Sequence, residues 1–151
     1  MNPAQVNVTI RKAVPADFAQ IVSVEISSFK RPYPPELMFS FLCLHSDTFY
    51  VALVGEEVVG YVVGAERRDG CGHVLSIAVK PAWRRRGLGS KLMDSLLMAF
   101  KERGLKKALL EVAVSNTEAI AFYERLCFKK VALLRGYYPW GEDAYLMSKE
   151  L

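Results

Sequence analysis

The stretch from His73 to Arg103 constrains this chain more than any other. An apolar run, His73 to Val79, leads into Arg84-Arg85-Arg86-Gly87-Leu88-Gly89-Ser90, followed by a helical pattern, Gly89 to Arg103, with Leu92, Leu96, Leu97 and Phe100 on one face and Gly104 as its stop. The near-continuous apolar strand suits a sheet covered on both faces, and Pro81 ends it. A strand that turns through glycines into a helix presents unpaired backbone N–H groups and the positive end of the helix dipole to an anion. Gly87 and Gly89 let the backbone approach a pyrophosphate, and the arginines add charge-assisted hydrogen bonds, so a nucleotide is the natural ligand. The P-loop would need Gly-Lys-Ser/Thr, and the Rossmann fingerprint would need Gly or Ala where Leu92 stands; neither fits. Taken alone, the two glycines suit equally a tight turn beside a solvated basic patch.

Length and composition narrow the class. With 151 residues the chain reads as a single domain, 1–151, large enough to bury a core of its own. Hydrophobic residues at 52% against 24% charged set it apart from disordered chains. No apolar run approaches the ~18 residues of a membrane span, and Met1 to Ile10 lacks a basic stretch followed by a long apolar one, so a cytoplasmic protein with no membrane partner is expected. Cys43, Cys71 and Cys127 are odd in number and far apart, which favours reduced thiols and no metal site. A net charge of +4 is modest for a nucleic-acid partner, and only Trp83 stands ready to stack beside the arginines. A basic nucleic-acid-binding module is therefore a remote alternative.

Along the chain, Val6 to Ile10 alternates as a first strand, and Pro15-Ala-Asp17 opens a helix whose Phe18, Ile21, Val22 and Ile26 share a face. A second helix spans Glu36 to Leu44. Thr48 to Val54 and Val58 to Glu66 form a hairpin around Gly55-Glu56-Glu57, and Gly70-Cys-Gly72 marks the next turn. Ala108 to Val114 is a strand, Ser115-Asn-Thr-Glu118 is a capping box for a helix ending near Leu126, and Lys129 to Leu134 and Ala144 to Ser148 close the chain as strands. The pattern is a mixed α/β sheet flanked by about four helices, with no repeat or linker.

Several side chains are candidates for chemistry. Glu111 interrupts an apolar strand on the face of Leu109 and Ala113; desolvation there is expected to push its pKa upward, as suits a proton acceptor, although a structural carboxylate is the alternative. Tyr123 follows Ile120 by one helical turn and is expected on the buried face. Asn116 belongs to a helix cap, His73 opens a strand, and Tyr33, Tyr137 and Tyr138 sit in loops stiffened by Pro34, Pro35 and Pro139. Each of these has a structural role ready to hand.

Arg84, Gly87 and Gly89 match the pattern Gln/Arg-x-x-Gly-x-Gly/Ala. Together with Gly72 to Val79, Leu110-Glu-Val, Ser115-Asn116, Ala119 to Leu126 and Gly136-Tyr-Tyr-Pro139, they make the chain similar to the GNAT family of N-acetyltransferases, in particular its RimI-like and archaeal N-terminal members. The resemblance covers nearly the whole chain and implies a GNAT-like fold with acetyl-CoA as cofactor. It implies further that Ile77, Ala78 and Val79, on a splayed strand, pair with the pantetheine, that Arg84, Arg85, Arg86, Gly87, Leu88, Gly89 and Ser90 hold the pyrophosphate, and that Asn116, Phe122 and Tyr123 lie beside the cofactor. Glu111 becomes the general base, commonly through water, His73 an auxiliary base, and Tyr123 the acid that protonates the departing thiolate.

The same resemblance places Tyr33, Tyr137 and Tyr138 at the entrance for a protein or peptide N-terminus with a small first residue. Lysine or small-amine acetylation is the alternative, and a homodimer or an auxiliary subunit stays open. Ala113 stands where RimI-like chains have Arg, Arg31 near where some archaeal relatives carry glutamate, and Cys127 where Gly is usual, so substrate preference and the end of that helix are expected to differ.

Overall fold

The computed structural model describes residues 7–151, which form seven strands and four α-helices. The strands are β1 (Val8–Lys12), β2 (Phe49–Val54), β3 (Glu57–Glu66), β4 (Cys71–Val79), β5 (Lys107–Ala113), β6 (Lys129–Leu134) and β7 (Ala144–Glu150). They make one sheet in the order β1-β2-β3-β4-β5-β7-β6. The helices are α1 (Phe18–Ser28), α2 (Pro35–Leu44), α3 (Leu88–Glu102) and α4 (Thr117–Arg125). None is long and apolar enough to cross a membrane. By internal packing the residues fall into two compact units: the chain up to Ala65 with Leu75–Ala99, and Glu66–Val74 with Phe100–Leu151.

In the first unit β1, β2 and β3 are antiparallel neighbours. Their inward residues, Phe49, Val51, Val58, Tyr61 and Val63 among them, pack with Ile21 and Val24 of α1 and Met38 and Leu42 of α2. The first strand begins at Val8 and runs on to Lys12; Val6, expected to open it, lies outside the described residues. The face of α1 also differs from expectation. Ile21, Val24 and Glu25 are buried, whereas Ile26 is 60% exposed. Five residues on from Ile21, Ile26 lies ~140° around the helix, outside the stripe, and a carboxylate takes the inward place.

In the second unit the first residues of β4 run parallel to β5, with Cys71↔Lys107, Gly72↔Ala108 and His73↔Leu109 in register, and β7 lies antiparallel to both β5 and β6. Gly72 is not part of a turn, as its sequence neighbours suggested, but a buried strand residue. A Cβ there would sit 2.3 Å from the Phe100 ring, so glycine is what lets the ring lie flat against β4. The expected capping box is likewise replaced. Asn116, not Ser115, is the N-cap of α4, and its side chain accepts the Ala119 N–H at 3.1 Å. At the other end Cys127 adopts φ of 72°, and the Phe128 N–H reaches the Tyr123 carbonyl at 3.0 Å. That is the left-handed helix closure usually given to glycine.

Candidate active site

The glycine turn belongs to the first unit. After β4 a 3-10 turn at Pro81–Trp83 leads to Arg84, and the first i→i−4 bond of α3 runs from the Lys91 N–H to the Gly87 carbonyl at 3.1 Å. The amides of Leu88, Gly89 and Ser90 therefore precede the helical ladder, as an anion site requires. Gly87 has φ of 79°, and nothing stands within 4 Å of where its Cβ would be. Both features keep the backbone open to a diphosphate. Two of the arginines also have structural tasks that the sequence did not suggest: Arg84 Nε donates to the Val79 carbonyl at 2.9 Å, and the Arg86 guanidinium lies 4.8 Å above the Trp83 ring. Arg85 takes a left-handed φ of 63°. Ile77, Ala78 and Val79 form the end of β4.

Tyr33, in the loop between α1 and α2, is 41% exposed and meets Phe41 edge-on with ring centroids 6.1 Å apart. Its N–H donates to Glu25 Oε2 at 2.8 Å. The hydroxyl of Tyr61 donates to Glu25 Oε1 and lies 2.7 Å from Ser76 Oγ. Burial pushes the Glu25 acid up, against the hydrogen bonds from Tyr61 and Tyr33. Sequence reasoning missed this group because a glutamate on an amphipathic helix normally faces water.

The second unit brings three candidates together. His73 Nε2 lies 2.7 and 2.8 Å from the two carboxylate oxygens of Glu111, and the Tyr137 hydroxyl donates to Glu111 Oε1 at 3.1 Å. Parallel pairing explains the first contact: His73 is opposite Leu109, and Glu111 follows on the same face of β5. The direction expected for Glu111 is corrected. Burial pushes its acid up, but the hydrogen bond and charge of His73, the Tyr137 hydroxyl and the Arg67 charge outweigh it and hold the carboxyl below its ordinary range. The partners are charged or strong donors, and the sequence does not show them.

Tyr137 and Tyr138 lie in the loop between β6 and β7, their rings edge-on at 5.0 Å, and Tyr138 stacks on Trp140 at 4.6 Å. Glu142 and Asp143 tie this loop down. Glu142 Oε1 accepts from the Trp140 indole at 3.1 Å and Oε2 from the Ser115 N–H at 3.1 Å and hydroxyl, while Asp143 Oδ1 accepts the Gly136 N–H at 2.8 Å. Trp140 and Glu142 were not among the sequence candidates. Asn116 and Tyr123 stand at the two ends of α4. The Tyr123 ring is half-buried rather than buried, between Phe122 at 5.4 Å and Phe128 at 6.0 Å.

The model of the acetyltransferase (GNAT) family matches residues 18–128. The N-alpha-acetyltransferase of Saccharolobus solfataricus is 37% identical over 158 aligned residues, covering 95% of this chain and 93% of that protein. The crystal structure of Ard1 from Thermoplasma volcanium superposes with a TM-score of 0.92 at 32% identity, covering 97% of this chain and 99% of that one. The ribosomal-protein-S18-alanine N-acetyltransferase of Escherichia coli gives a TM-score of 0.84 at 26% identity over 95% and 94%. Fold, glycine turn and sequence thus converge on one assignment: the chain is an acetyltransferase, and it belongs to the GNAT family.

Proposed function

We propose that this enzyme transfers the acetyl group of acetyl-CoA to the N-terminal α-amine of proteins. The observation that carries the reading is the His73–Glu111–Tyr137 cluster, in which a proton acceptor is hydrogen-bonded to a loop tyrosine assigned to the peptide entrance. Relatives named N-alpha-acetyltransferase support it.

The residues present suit the cofactor. The open backbone at Gly87, the leading amides of α3 and the arginines fit a diphosphate, so Arg84–Ser90 would hold that part, with Ile77–Val79 main chain, Asn116 and Phe122 along the pantetheine. When bound, acetyl-CoA supplies an activated acetyl thioester. Asn116 Oδ1 already serves the helix end, so its amide NH₂ would be the group turned to the ligand. Tyr123 Oη would give its proton to the departing sulfur, stabilising charge that develops only as the bond breaks.

The acceptor works as a pair. With Nε2–H given to Glu111, His73 Nδ1 carries the lone pair that takes the amine's proton, directly or through water, and the carboxylate stabilises the resulting imidazolium. The acceptor amine's own pKa favours the N-terminus, whichever member of the pair takes the proton. An N-terminus has a pKa near ~8 and a lysine near ~10.4, so deprotonating lysine costs roughly 3 kcal/mol more. Kinetics of a peptide with a free N-terminus against its N-blocked, lysine-containing counterpart test the reading. Faster acetylation of the free N-terminus is expected, and faster acetylation of the blocked peptide overturns it.

A further inference from the structure

Glu25 is a carboxylate that the proposed chemistry does not use. It is 2% exposed, on a helix face otherwise occupied by Ile21 and Val24. Burying a carboxylate costs several kcal/mol unless donors converge on it, and a leucine would fill such a place more cheaply. Here two donors do converge: the Tyr33 N–H on Oε2 at 2.8 Å and the Tyr61 hydroxyl on Oε1. Both are donors at the positions they occupy, so the site needs a group that accepts at both of its atoms. A carboxylate does so; an amide accepts at one atom only, so it keeps both contacts only if the Tyr61 hydroxyl turns to Ser76, and it lacks the charge that strengthens the Tyr33 N–H bond.

The connectivity shows what the group holds. Tyr33 is eight residues beyond Glu25, within the loop between α1 and α2, where Pro32, Pro34 and Pro35 leave few backbone N–H groups to anchor it. Tyr61 is on β3, and its hydroxyl lies 2.7 Å from Ser76 Oγ of β4. One buried side chain thus ties the main chain of an exposed loop tyrosine to two central strands. The Tyr61 acid is pushed well up by burial, by the Glu25 charge and by its hydrogen bond to Glu25, so it stays protonated and keeps donating.

We propose that Glu25 is the positioning residue of the acceptor entrance: through Tyr33 N–H, and through Tyr61 and Ser76, it holds the α1–α2 loop where the acceptor peptide meets it, without taking part in acetyl-CoA binding or proton transfer. This rests on the reading of Tyr33 as a peptide-contacting residue. Its consequence is separable from that of a structural carboxylate, because the acceptor KM responds while kcat and the acetyl-CoA KM do not.

Steady-state kinetics with both substrates varied test it on wild type, Glu25→Gln, Tyr61→Phe, Ser76→Ala and Tyr33→Ala. Glu25→Gln is expected to raise the KM for a free N-terminal peptide about tenfold, the difference between a hydrogen bond to a charged acceptor and one to a neutral amide, with kcat within about twofold and the acetyl-CoA KM unchanged. Tyr61→Phe, which leaves the Tyr33 bond, should raise it less. An unchanged peptide KM in Glu25→Gln, or equal losses in kcat and both KM values, overturns the proposal. If Tyr33→Ala raises the peptide KM while Glu25→Gln does not, only this inference fails. If neither does, the peptide-entrance reading of Tyr33 fails first. Should Glu25→Gln not fold, Tyr61→Phe decides: a raised peptide KM supports the tie and an unchanged one overturns it.

Discussion

Glu25 and Glu111 are both glutamates drawn into apolar surroundings, one in each unit, and their acids move in opposite directions. Burial is the largest influence on both and raises both. At Glu25 the partners are a phenol and a backbone N–H, and burial wins. At Glu111 they are His73, the Tyr137 hydroxyl and the Arg67 charge, and together they win. A neutral donor weakens the desolvation penalty, whereas a partner able to carry positive charge reverses its sign. The same residue type is thereby suited to the two proposed tasks, holding main chain in one unit and managing a proton in the other.

The largest test of this contrast is catalytic. Glu111→Gln should fold, bind acetyl-CoA as before and lose turnover by ~10²- to 10⁴-fold, and His73→Ala should fall in the same range, as the proposed single acceptor requires. Wild-type turnover in Glu111→Gln at pH 7 would make Glu111 as structural as Glu25. Next in size is a packing comparison. An alanine Cβ at Gly72 would meet the Phe100 ring at 2.3 Å, whereas at Gly60, in the first unit, the nearest atom is the Ala78 carbonyl at 3.0 Å. Thermal unfolding should show Gly72→Ala destabilised by about 1–3 kcal/mol and Gly60→Ala by less. The reverse order would mean that the β4 backbone yields more readily than the ring contacts suggest.

A pH series compares the carboxylates directly. The Glu25 acid is raised on folding, so its contribution is complete below its unfolded pKa and is lost as pH rises through the folded value. Glu111 is the opposite case: its contribution is present above the unfolded pKa and is lost as pH falls through the folded one. Relative to wild type, Glu25→Gln should therefore gain stability as pH rises across the acid range and Glu111→Gln should lose it, each by at most about 1.4 kcal/mol per pH unit for one proton. Equal slopes of one sign would erase the distinction. The smallest effect is expected at Cys127, whose φ of 72° suits glycine better. Cys127→Gly should stabilise the protein by about 1 kcal/mol, and a loss of stability would show that the thiol's own contacts outweigh the backbone strain.

What could be read from the sequence was local. The stripe of Leu92, Leu96, Leu97 and Phe100 with Gly104 behind it, the span Lys129–Leu134, the glycine turn and a glutamate inside an apolar strand all lie within a dozen residues of what defines them, where periods of 3.6 and 2 and the needs of a turn are decisive. Even there, Ser115 and Asn116 compete for one cap, and only geometry chose Asn116.

The interactions that assign tasks span much longer separations. His73 meets Glu111 across 38 residues, Tyr137 meets Glu111 across 26, and Tyr61 meets Glu25 across 36. Such meetings depend on strand register and on which helix face turns inward, and a single shift of register would send Tyr61, His73 or Glu111 to the other face of the sheet. The sequence by itself determined most of the helices and strands, the glycine turn and the residue types available for chemistry, because those follow from short-range sterics and periodicity. Tertiary structure alone decided which carboxylate has charged partners and which neutral ones, because a pKa and a hydrogen bond are properties of neighbours in space.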